Sequence, residues 1–175
     1  MQEDSNSAVM GRALRLLPMI VVMITIFIFS MAPAEKSAST SGGILAAIVD
    51  CLEKMTHSNL SFETVDMLHT LIRKCAHITE YALLGASVVF AYHPEISEFV
   101  HKKTDGTKSP LFIIIPLVIC ALYSASDETH QLFVPGRSGE VLDVLIDSCG
   151  SLVGILIMNH IYRRREAKSE REMKQ

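Results

Sequence analysis

The stretch LRLLPMIVVMITIFIFSMA, residues 14–32, carries no charge after Arg15. A hydrocarbon core about 30 Å thick is crossed by roughly 20 helical residues, so this stretch is long enough to span a membrane. A helix on the surface of a soluble protein would show a polar stripe with a period of about 3.6 residues. Residues 14–32 have no such stripe, and we therefore predict a transmembrane helix here.

Three further apolar stretches have a comparable length. They cover about residues 77–92, 110–126 and 141–162. Pro18 and Pro116 fall inside such stretches, where neighbouring helices can satisfy the backbone groups that proline leaves free. We therefore predict an all-α integral membrane protein, a four-helix bundle that forms a single domain over residues 1–175.

Clusters of Lys and Arg predict the orientation of the spans. They precede the first span, fill the loop between the second and third spans, and follow the fourth: Arg12 and Arg15; Lys102, Lys103 and Lys108; Arg163, Arg164 and Arg165. Because cytoplasmic loops carry an excess of Lys and Arg, we predict that both termini are cytoplasmic. Ala32-Pro33-Ala34 resembles a signal-peptide cleavage site, but the apolar run exceeds the usual length of about 7–15 residues, and we favour an uncleaved anchor.

The segments outside the spans have distinct patterns. Residues 35–43 are small and polar, which predicts a linker. Residues 44–72 show helical periodicity, with a turn at 57–59, and we expect an external amphipathic helical segment there. Ser61 is placed to cap the second of its helices. At the other end of the chain we expect residues 166–175 to form a disordered cytoplasmic tail.

Composition excludes some classes of function. The net charge of −3 and the lack of a broad basic face indicate no nucleic-acid partner. The four cysteines show no metal-binding spacing, and a disulfide between Cys51 and Cys75 is left open. We expect no cofactor.

The most informative residues are polar side chains that a bilayer resists. Arg73, His77 and Glu80 lie at i, i+4 and i+7, on one helical face at the outer end of the second span. Lys74 follows Arg73 at the same end of the second span. Others cluster at the outer ends of the third and fourth spans and in the loop between them: Asp127, Glu128, His130, Gln131, Arg137, Asp143 and Asp147. Because separate segments carry such groups to the same depth, we predict a shared outer cavity. Small residues at 82, 86, 150 and 154 predict that the second and fourth spans touch.

The residue types at this outer cluster suggest an acid–base site for an anionic, lipid-linked molecule. Arg73, Lys74 and Arg137 can neutralise a phosphate or carboxylate. We assign substrate binding to these three and to Gln131, Asp143 and Asp147. The predicted catalytic residues are Glu80, Asp127, Glu128 and His77, because crowded acids separate into protonated and ionised forms and a histidine can move the proton.

Two alternative interpretations of the cluster remain open. One is an ion-pair network that holds the helices together, with Arg73 bound to Glu80 or Asp127 and Arg137 bound to Asp143. The other is a zinc site made from His77, Glu80, Asp127, Glu128 and His130, which offer nitrogen and oxygen ligands. We favour a site without metal, since Arg73 and Lys74 would oppose a cation.

The strings RKCAHITEYALLG (73–85) and DETHQLFVPGRSGEVLDVLIDSCG (127–150) resemble the VanZ-like membrane proteins. That family pairs an R-K-x-x-H-x-x-E-Y block with a later D-E-x-x-Q … P-x-R-x-x-x-x-x-D block. The matching positions in this chain are Arg73, Lys74, His77, Glu80, Tyr81, Asp127, Glu128, Gln131, Pro135, Arg137 and Asp143. The resemblance implies a small protein of the bacterial cell membrane, linked to low-level resistance to teicoplanin-type glycopeptides.

Three hypotheses about function follow. The first is an outer pocket that binds an anionic envelope lipid or cell-wall precursor, with an acid–base step left open. The second is a non-catalytic membrane factor that alters antibiotic access through a protein or lipid partner, contacted by residues 44–72. The third is a proton-coupled transporter, which is disfavoured because no polar residue continues a path through the first and third spans.

Overall fold

The computed structural model describes residues 2–103 and 109–173, and this part of the chain is all-helical. The helices are α1 (Gln2–Ser30), α2 (Ala34–Thr56), α3 (Phe62–Lys103), α4 (Leu111–Gln131) and α5 (Val141–Glu172). The predicted fold class, an all-α membrane protein, is confirmed.

Four segments are long and apolar enough to cross a membrane: Met10–Ser30, Phe62–Glu98, Leu111–Gln131 and Val141–Ser169. Each of them exposes large apolar side chains, among them Ile24, Leu83, Val118 and Leu156. A water-soluble protein rarely exposes apolar surface on this scale, whereas lipid accepts it. These features together indicate a membrane protein.

The helices α3 and α5 form the closest pair of the bundle. A Cβ atom added to Gly154 would lie 1.8 Å from the carbonyl oxygen of Ala82, and one on Gly150 would lie 2.6 Å from that of Ile78. Only glycine allows two backbones to approach so closely. The predicted contact between the second and fourth spans is therefore present, and it brings the two helices together in parallel.

Side-chain contacts define two ends of the bundle. At one end, Arg15 of α1 lies 3.4 Å from Glu95 of α3, and His93 stacks on Tyr162 of α5 with a centroid distance of 3.8 Å. The basic residues that precede the first span and follow the fourth thus share one end; the third predicted cluster, at 102–108, lies outside the described side chains. The other end, which we call the polar end, contains Ser30, Arg73, Asp127, Arg137 and Asp143.

The turn between α2 and α3 follows the sequence expectation. His57 adopts a left-handed conformation with φ of 53° and ends α2. The Ser61 hydroxyl accepts a hydrogen bond from the backbone N–H of Thr64 at 3.3 Å and caps α3. Across the turn, the backbone N–H of Leu60 donates to the Glu53 carboxylate at 2.9 Å. That residues 44–72 lie outside the membrane remains a prediction.

Several helices are longer than the sequence predicted. Residues 35–43, predicted to be a linker, belong to α2. The adjacent Gly42 and Gly43 each disfavour a helix by about 1 kcal/mol and the serines and threonine by less, and the apolar helix that continues beyond them offsets this cost. Residues 166–172, predicted to be disordered, continue α5, where Glu, Ala, Lys and Arg are good helix formers. The third span continues past residue 126 to Gln131, which places its polar residues on the last turns of the helix.

Candidate functional site

One face of α3 forms a wall of a cavity at the polar end. The cavity has a volume of about 240 Å³ and is lined by Arg73, His77 and Glu80, which are spaced one helical turn apart as predicted. Asp127 of α4 and Arg137 of the following loop also line it, together with Ser30 of α1 and His69 of α3. Three segments therefore bring five of the ten predicted site residues around one space.

The rest of the lining is mostly apolar. Ile26 and Phe29 come from α1, Ile44 from α2, and Ile72 from α3. Charged groups on one side and hydrocarbon on the other make the cavity amphipathic. Such a space fits a molecule that has an anionic head and an apolar chain better than it fits a small hydrophilic ion.

Arg137 joins the loop before α5 to the end of α1. Its Nε donates to the carbonyl oxygen of Ala32 at 3.2 Å, and its Nη2 donates to that of Phe29 at 3.1 Å. The last carbonyls of a helix have no intrahelical hydrogen-bond partner and carry partial negative charge. A guanidinium supplies both the missing donors and a positive charge. Burial lowers the pKa of Arg137, and the nearby charge of Arg73 acts in the same direction. Because the pKa of an arginine starts far above neutrality, Arg137 stays charged at neutral pH.

Arg73 differs from Arg137 in having no partner. Within the residues that the structure describes, Arg73 makes neither a hydrogen bond nor an ion pair, although it is only partly exposed. The ion pair that the sequence left open, from Arg73 to Glu80 or Asp127, is absent from the described residues. A partly buried guanidinium without a partner keeps its donors available for a ligand.

Asp127, Glu128 and Gln131 are buried together at the end of α4. Gln131 Nε2 donates to Asp127 Oδ2 at 3.1 Å, and the backbone N–H of Glu140 donates to Glu128 Oε2 at 3.0 Å. Asp127 Oδ1 and the Ser30 hydroxyl oxygen are neighbours across the helices, yet neither makes a hydrogen bond of good geometry. Two buried polar atoms therefore remain unsatisfied where α1 meets α4.

Lys74 and Asp143 form an ion pair between α3 and α5. Neither residue lines the cavity, although the sequence placed both in the binding site. The pair lies on the side of α3 that faces α5, because Lys74 follows Arg73 and a single residue turns the helix by about 100°. The predicted partner of Asp143 was Arg137, and the observed partner is Lys74.

A third group of polar residues lies deeper, between α3, α4 and α5. His77 Nδ1 lies 3.3 Å from Asp147 Oδ1, and the Ser124 hydroxyl donates to Asp147 Oδ2 at 2.8 Å. Asp147 and Ser124 are fully buried. The structure also brings Glu128 close, so that one ligand atom from each of His77, Glu128 and Asp147 lies within 4.8 Å of the others.

The structure therefore divides the ten predicted site residues into a cavity lining and a buried network behind it. Arg73, His77, Glu80, Asp127 and Arg137 line the cavity. The network contains the others, namely Lys74, Glu128, Gln131, Asp143 and Asp147. His130, a candidate zinc ligand in the sequence, instead packs its ring against Phe27 with a centroid distance of 5.0 Å.

Three polar residues of the site were missed in the sequence; one of them, Ser30 at the end of α1, lines the cavity. His69 lines the cavity and stands one helical turn before Arg73, a spacing that could have placed it on the same face. Ser124 supports Asp147 from another helix, and no sequence spacing reports such a contact. Serine inside an apolar stretch is too common to single out.

These features define the class of protein: a bundle of membrane-type helices that buries a charged cluster at one end. A family model described as VanZ/LLP1 matches residues 15–162. The chain belongs to this family, and the resemblance noted in the two sequence blocks is confirmed. No curated protein and no solved structure was found to match the chain.

Proposed function

We propose that the chain is a cell-envelope membrane protein whose cavity binds the anionic head group of an envelope lipid or lipid-linked cell-wall precursor. The observation that carries this proposal is the position of Arg73, a guanidinium that pairs with no residue of the described part of the chain and lies in a cavity with largely apolar walls. An arginine removed from water gains most when a carboxylate or phosphate accepts its donors in pairs.

Arg137 adds a second positive charge to the same space. Because two carbonyls at the end of α1 already accept its hydrogen bonds, it contributes mainly through its field. Glu80 and Asp127 limit which anions fit, since an ionised carboxylate repels a phosphate while a protonated one donates to it. The site therefore favours ligands that offer both an anionic oxygen and a hydrogen-bond donor, as sugar-linked phosphates do.

The apolar lining supports a lipid rather than a free ion. Ile26, Phe29, Ile44 and Ile72 offer a hydrocarbon surface next to the two guanidinium groups. Each methylene group buried against such a surface contributes about 0.8 kcal/mol. An acyl or prenyl chain would therefore add affinity that inorganic phosphate lacks.

We further propose the bacterial cell membrane as the location, with both termini cytoplasmic and the cavity at the outer face. The basic residues 12, 15 and 163–165 gather at the end of the bundle opposite the cavity, which supports this orientation under the positive-inside rule. A role in glycopeptide resistance is implied by the family name alone.

Mass spectrometry of co-purifying molecules tests the proposal. The wild-type chain and Arg73→Ala would be extracted in a mild detergent, and bound lipids and precursors would be compared. Arg164→Ala, which removes an exposed charge at the opposite end, is the matched control. We expect one class of anionic lipid to be retained by the wild type and the control and lost from Arg73→Ala. Recovery of the same molecules from all three would exclude the proposal.

A second experiment tests whether the bound anion is a lipid head group or a free phosphate ion. The lipid found by mass spectrometry and inorganic phosphate would each be titrated into delipidated protein. Tight binding of the lipid with weak binding of phosphate is expected, because only the lipid contacts the apolar wall. Equal affinity for both would assign the cavity to a free anion.

The contact between His77 and Asp147 favours an acid–base step as a second candidate function. His77 lies at the cavity, and a carboxylate 3.3 Å from its Nδ1 can orient the ring and stabilise its charged form. Glu80→Gln and Asp127→Asn keep the shape of the site and remove a titratable proton. If both variants protected cells from teicoplanin as well as the wild type at equal protein levels, catalysis would be excluded and binding alone retained.

A further inference from the structure

The buried group behind the cavity has the composition of a metal site. His77 of α3, Glu128 of α4 and Asp147 of α5 each direct one ligand atom to a common point, with all three atoms within 4.8 Å of one another. Imidazole nitrogen and carboxylate oxygen are ligands that Zn²⁺ and Mn²⁺ accept. This set differs from the one the sequence suggested, because Asp147 takes part and Glu80, Asp127 and His130 do not.

An unsatisfied buried atom points to a ligand independently of this composition. Asp147 is fully buried, and among the described residues its Oδ1 has no hydrogen-bond partner of good geometry, although it faces His77. His77 Nδ1 is likewise unsatisfied. Buried polar atoms without partners are rare in native proteins because each costs about 1–3 kcal/mol. A cation between these two atoms would satisfy both.

The outer oxygens of both carboxylates are held by neighbouring groups. Asp147 Oδ2 accepts from the Ser124 hydroxyl at 2.8 Å, and Glu128 Oε2 accepts from the backbone N–H of Glu140 at 3.0 Å. Metal-binding carboxylates are commonly oriented in this way by a second layer of hydrogen bonds. Of the remaining oxygens, Glu128 Oε1 has a long contact of 3.5 Å with Gln131 Nε2, and Asp147 Oδ1 faces His77.

Charge balance also favours a divalent cation. With both buried carboxylates ionised, a protonated His77 would compensate only one of them, and the other charge would be costly away from water. Among the nearby cations, Lys74 pairs with Asp143, Arg137 binds the end of α1, and Arg73 lines the cavity rather than the buried group. A divalent ion beside a neutral imidazole compensates both carboxylates.

We propose that His77, Glu128 and Asp147 form a binding site for one divalent first-row metal ion, Zn²⁺ or Mn²⁺. Ligand atoms around a tetrahedral Zn²⁺ with bonds of about 2.1 Å lie roughly 3.4 Å apart. The separation of 3.3 Å between His77 Nδ1 and Asp147 Oδ1 fits this value, and the ligand atom of Glu128 lies within 4.8 Å of both residues' ligand atoms. Three protein ligands leave a fourth position open for water or for a ligand in the cavity.

Metal content of the purified chain tests the proposal without reference to the anion site. The full-length protein would carry a tag without histidines, be stripped with a chelator and be titrated with Zn²⁺ and with Mn²⁺. Elemental analysis is expected to find one equivalent of one of the two ions. Ser124→Ala, which removes only the oriented hydroxyl, should bind that ion about 10–100-fold more weakly. Failure of the wild type to retain either ion would overturn the proposal, whatever the lipid experiment shows.

Two conservative variants identify the ligands. Asp147→Asn and Glu128→Gln should each lose the bound ion, whereas their controls Asp66→Asn and Glu63→Gln, at exposed positions of α3, should keep it. If the variants do not fold, the absorption spectrum of the wild type with Co²⁺ still shows whether the metal site exists. Bands typical of nitrogen and oxygen ligands at one equivalent support the site, and their absence excludes it. Full retention of metal by both folded variants would also exclude it.

Discussion

Arg137 stands in a loop, yet its contacts are made with a helix more than a hundred residues earlier in the chain. Its side chain reaches the carbonyl oxygens of Phe29 and Ala32 from the loop that precedes α5. The planar guanidinium matters here, because its Nε and Nη2 donors point to two acceptors at once. For Arg137, the positions of its N–H donors, and not only its charge, therefore determine which groups it binds.

The variant Arg137→Lys tests this dependence on geometry. An ammonium can follow one carbonyl oxygen but cannot hold both with the same orientation, so we expect one hydrogen bond to be lost. The free energy of unfolding should fall by about 0.5–1.5 kcal/mol. Thermal unfolding in detergent measures the change, and Arg163→Lys at an exposed position of α5 is the control. Equal unfolding curves for the two variants would show that charge suffices.

A double-mutant cycle on Lys74 and Asp143 tests their ion pair. The two side chains are only 28% and 17% exposed, so solvent screens them less than a surface pair. We expect Lys74→Met and Asp143→Asn to show a coupling energy of about 0.5–3 kcal/mol.

The matched control for this cycle is the pair of Lys54 and Asp50 on α2. These side chains are 73% and 63% exposed and lie one helical turn apart. Their coupling should not exceed about 0.5 kcal/mol. If both cycles gave the same coupling energy, burial would have no part in the stability of the pair between α3 and α5.

At the scale of the helix, the glycines between α3 and α5 determine which polar residues of the two helices face each other. Gly150 and Gly154 allow the two backbones to touch below the polar end. That approach sets the register in which Lys74 faces Asp143 and His77 faces Asp147. The close contact at the glycines and the two polar pairs therefore depend on one another. A substitution that separates the helices should disturb the pairs.

The variant Gly154→Ala should separate the two helices. Its methyl group would lie 1.8 Å from the Ala82 carbonyl oxygen, where no flexible side chain can move aside. Overpacking of this kind costs about 1–3 kcal/mol, and we expect a lower unfolding temperature in detergent. Gly11→Ala is the control, because nothing lies within 4 Å of its added Cβ atom in α1. It should be neutral or stabilise the helix by up to about 1 kcal/mol. Equal stability of the two variants would contradict the close approach.

At the scale of the whole molecule, the bundle has two chemically different ends. Arg15, Glu95 and Tyr162 gather at one of them, and the cavity opens at the other. Between the two ends the outer surface is apolar on all four candidate spans. This arrangement suits a protein that crosses a bilayer and presents its polar end at one face only.

Cysteine labelling tests the orientation of the bundle. In a chain whose four native cysteines are replaced by serine or alanine, a membrane-impermeant maleimide should label Ser138→Cys on intact cells. Ala167→Cys, near the end of α5, should react only after the membrane is permeabilised. Both side chains are exposed, so the two cysteines should differ only in the side of the membrane from which the maleimide reaches them. The reverse pattern would place the cavity at the cytoplasmic face.

Much of the site could be predicted because helical periodicity is a local property. Arg73, His77 and Glu80 were placed on one face by their spacing alone, and all three line the cavity. The spacing of Asp143 and Asp147 likewise predicted neighbours on one face of α5. What these residues contact could not be read in this way, because each partner belongs to another helix.

The sequence by itself determined the membrane-type helices, their number and the residue types at the polar end, since these follow from hydrophobic length and local periodicity. Only the tertiary structure decided that Lys74 pairs with Asp143, that Arg137 binds the end of α1, and that Asp147 lies beside His77 and Glu128. The physical reason is that such pairings depend on the rotation of each helix about its axis. Packing against the other helices sets that rotation, and no single segment encodes it.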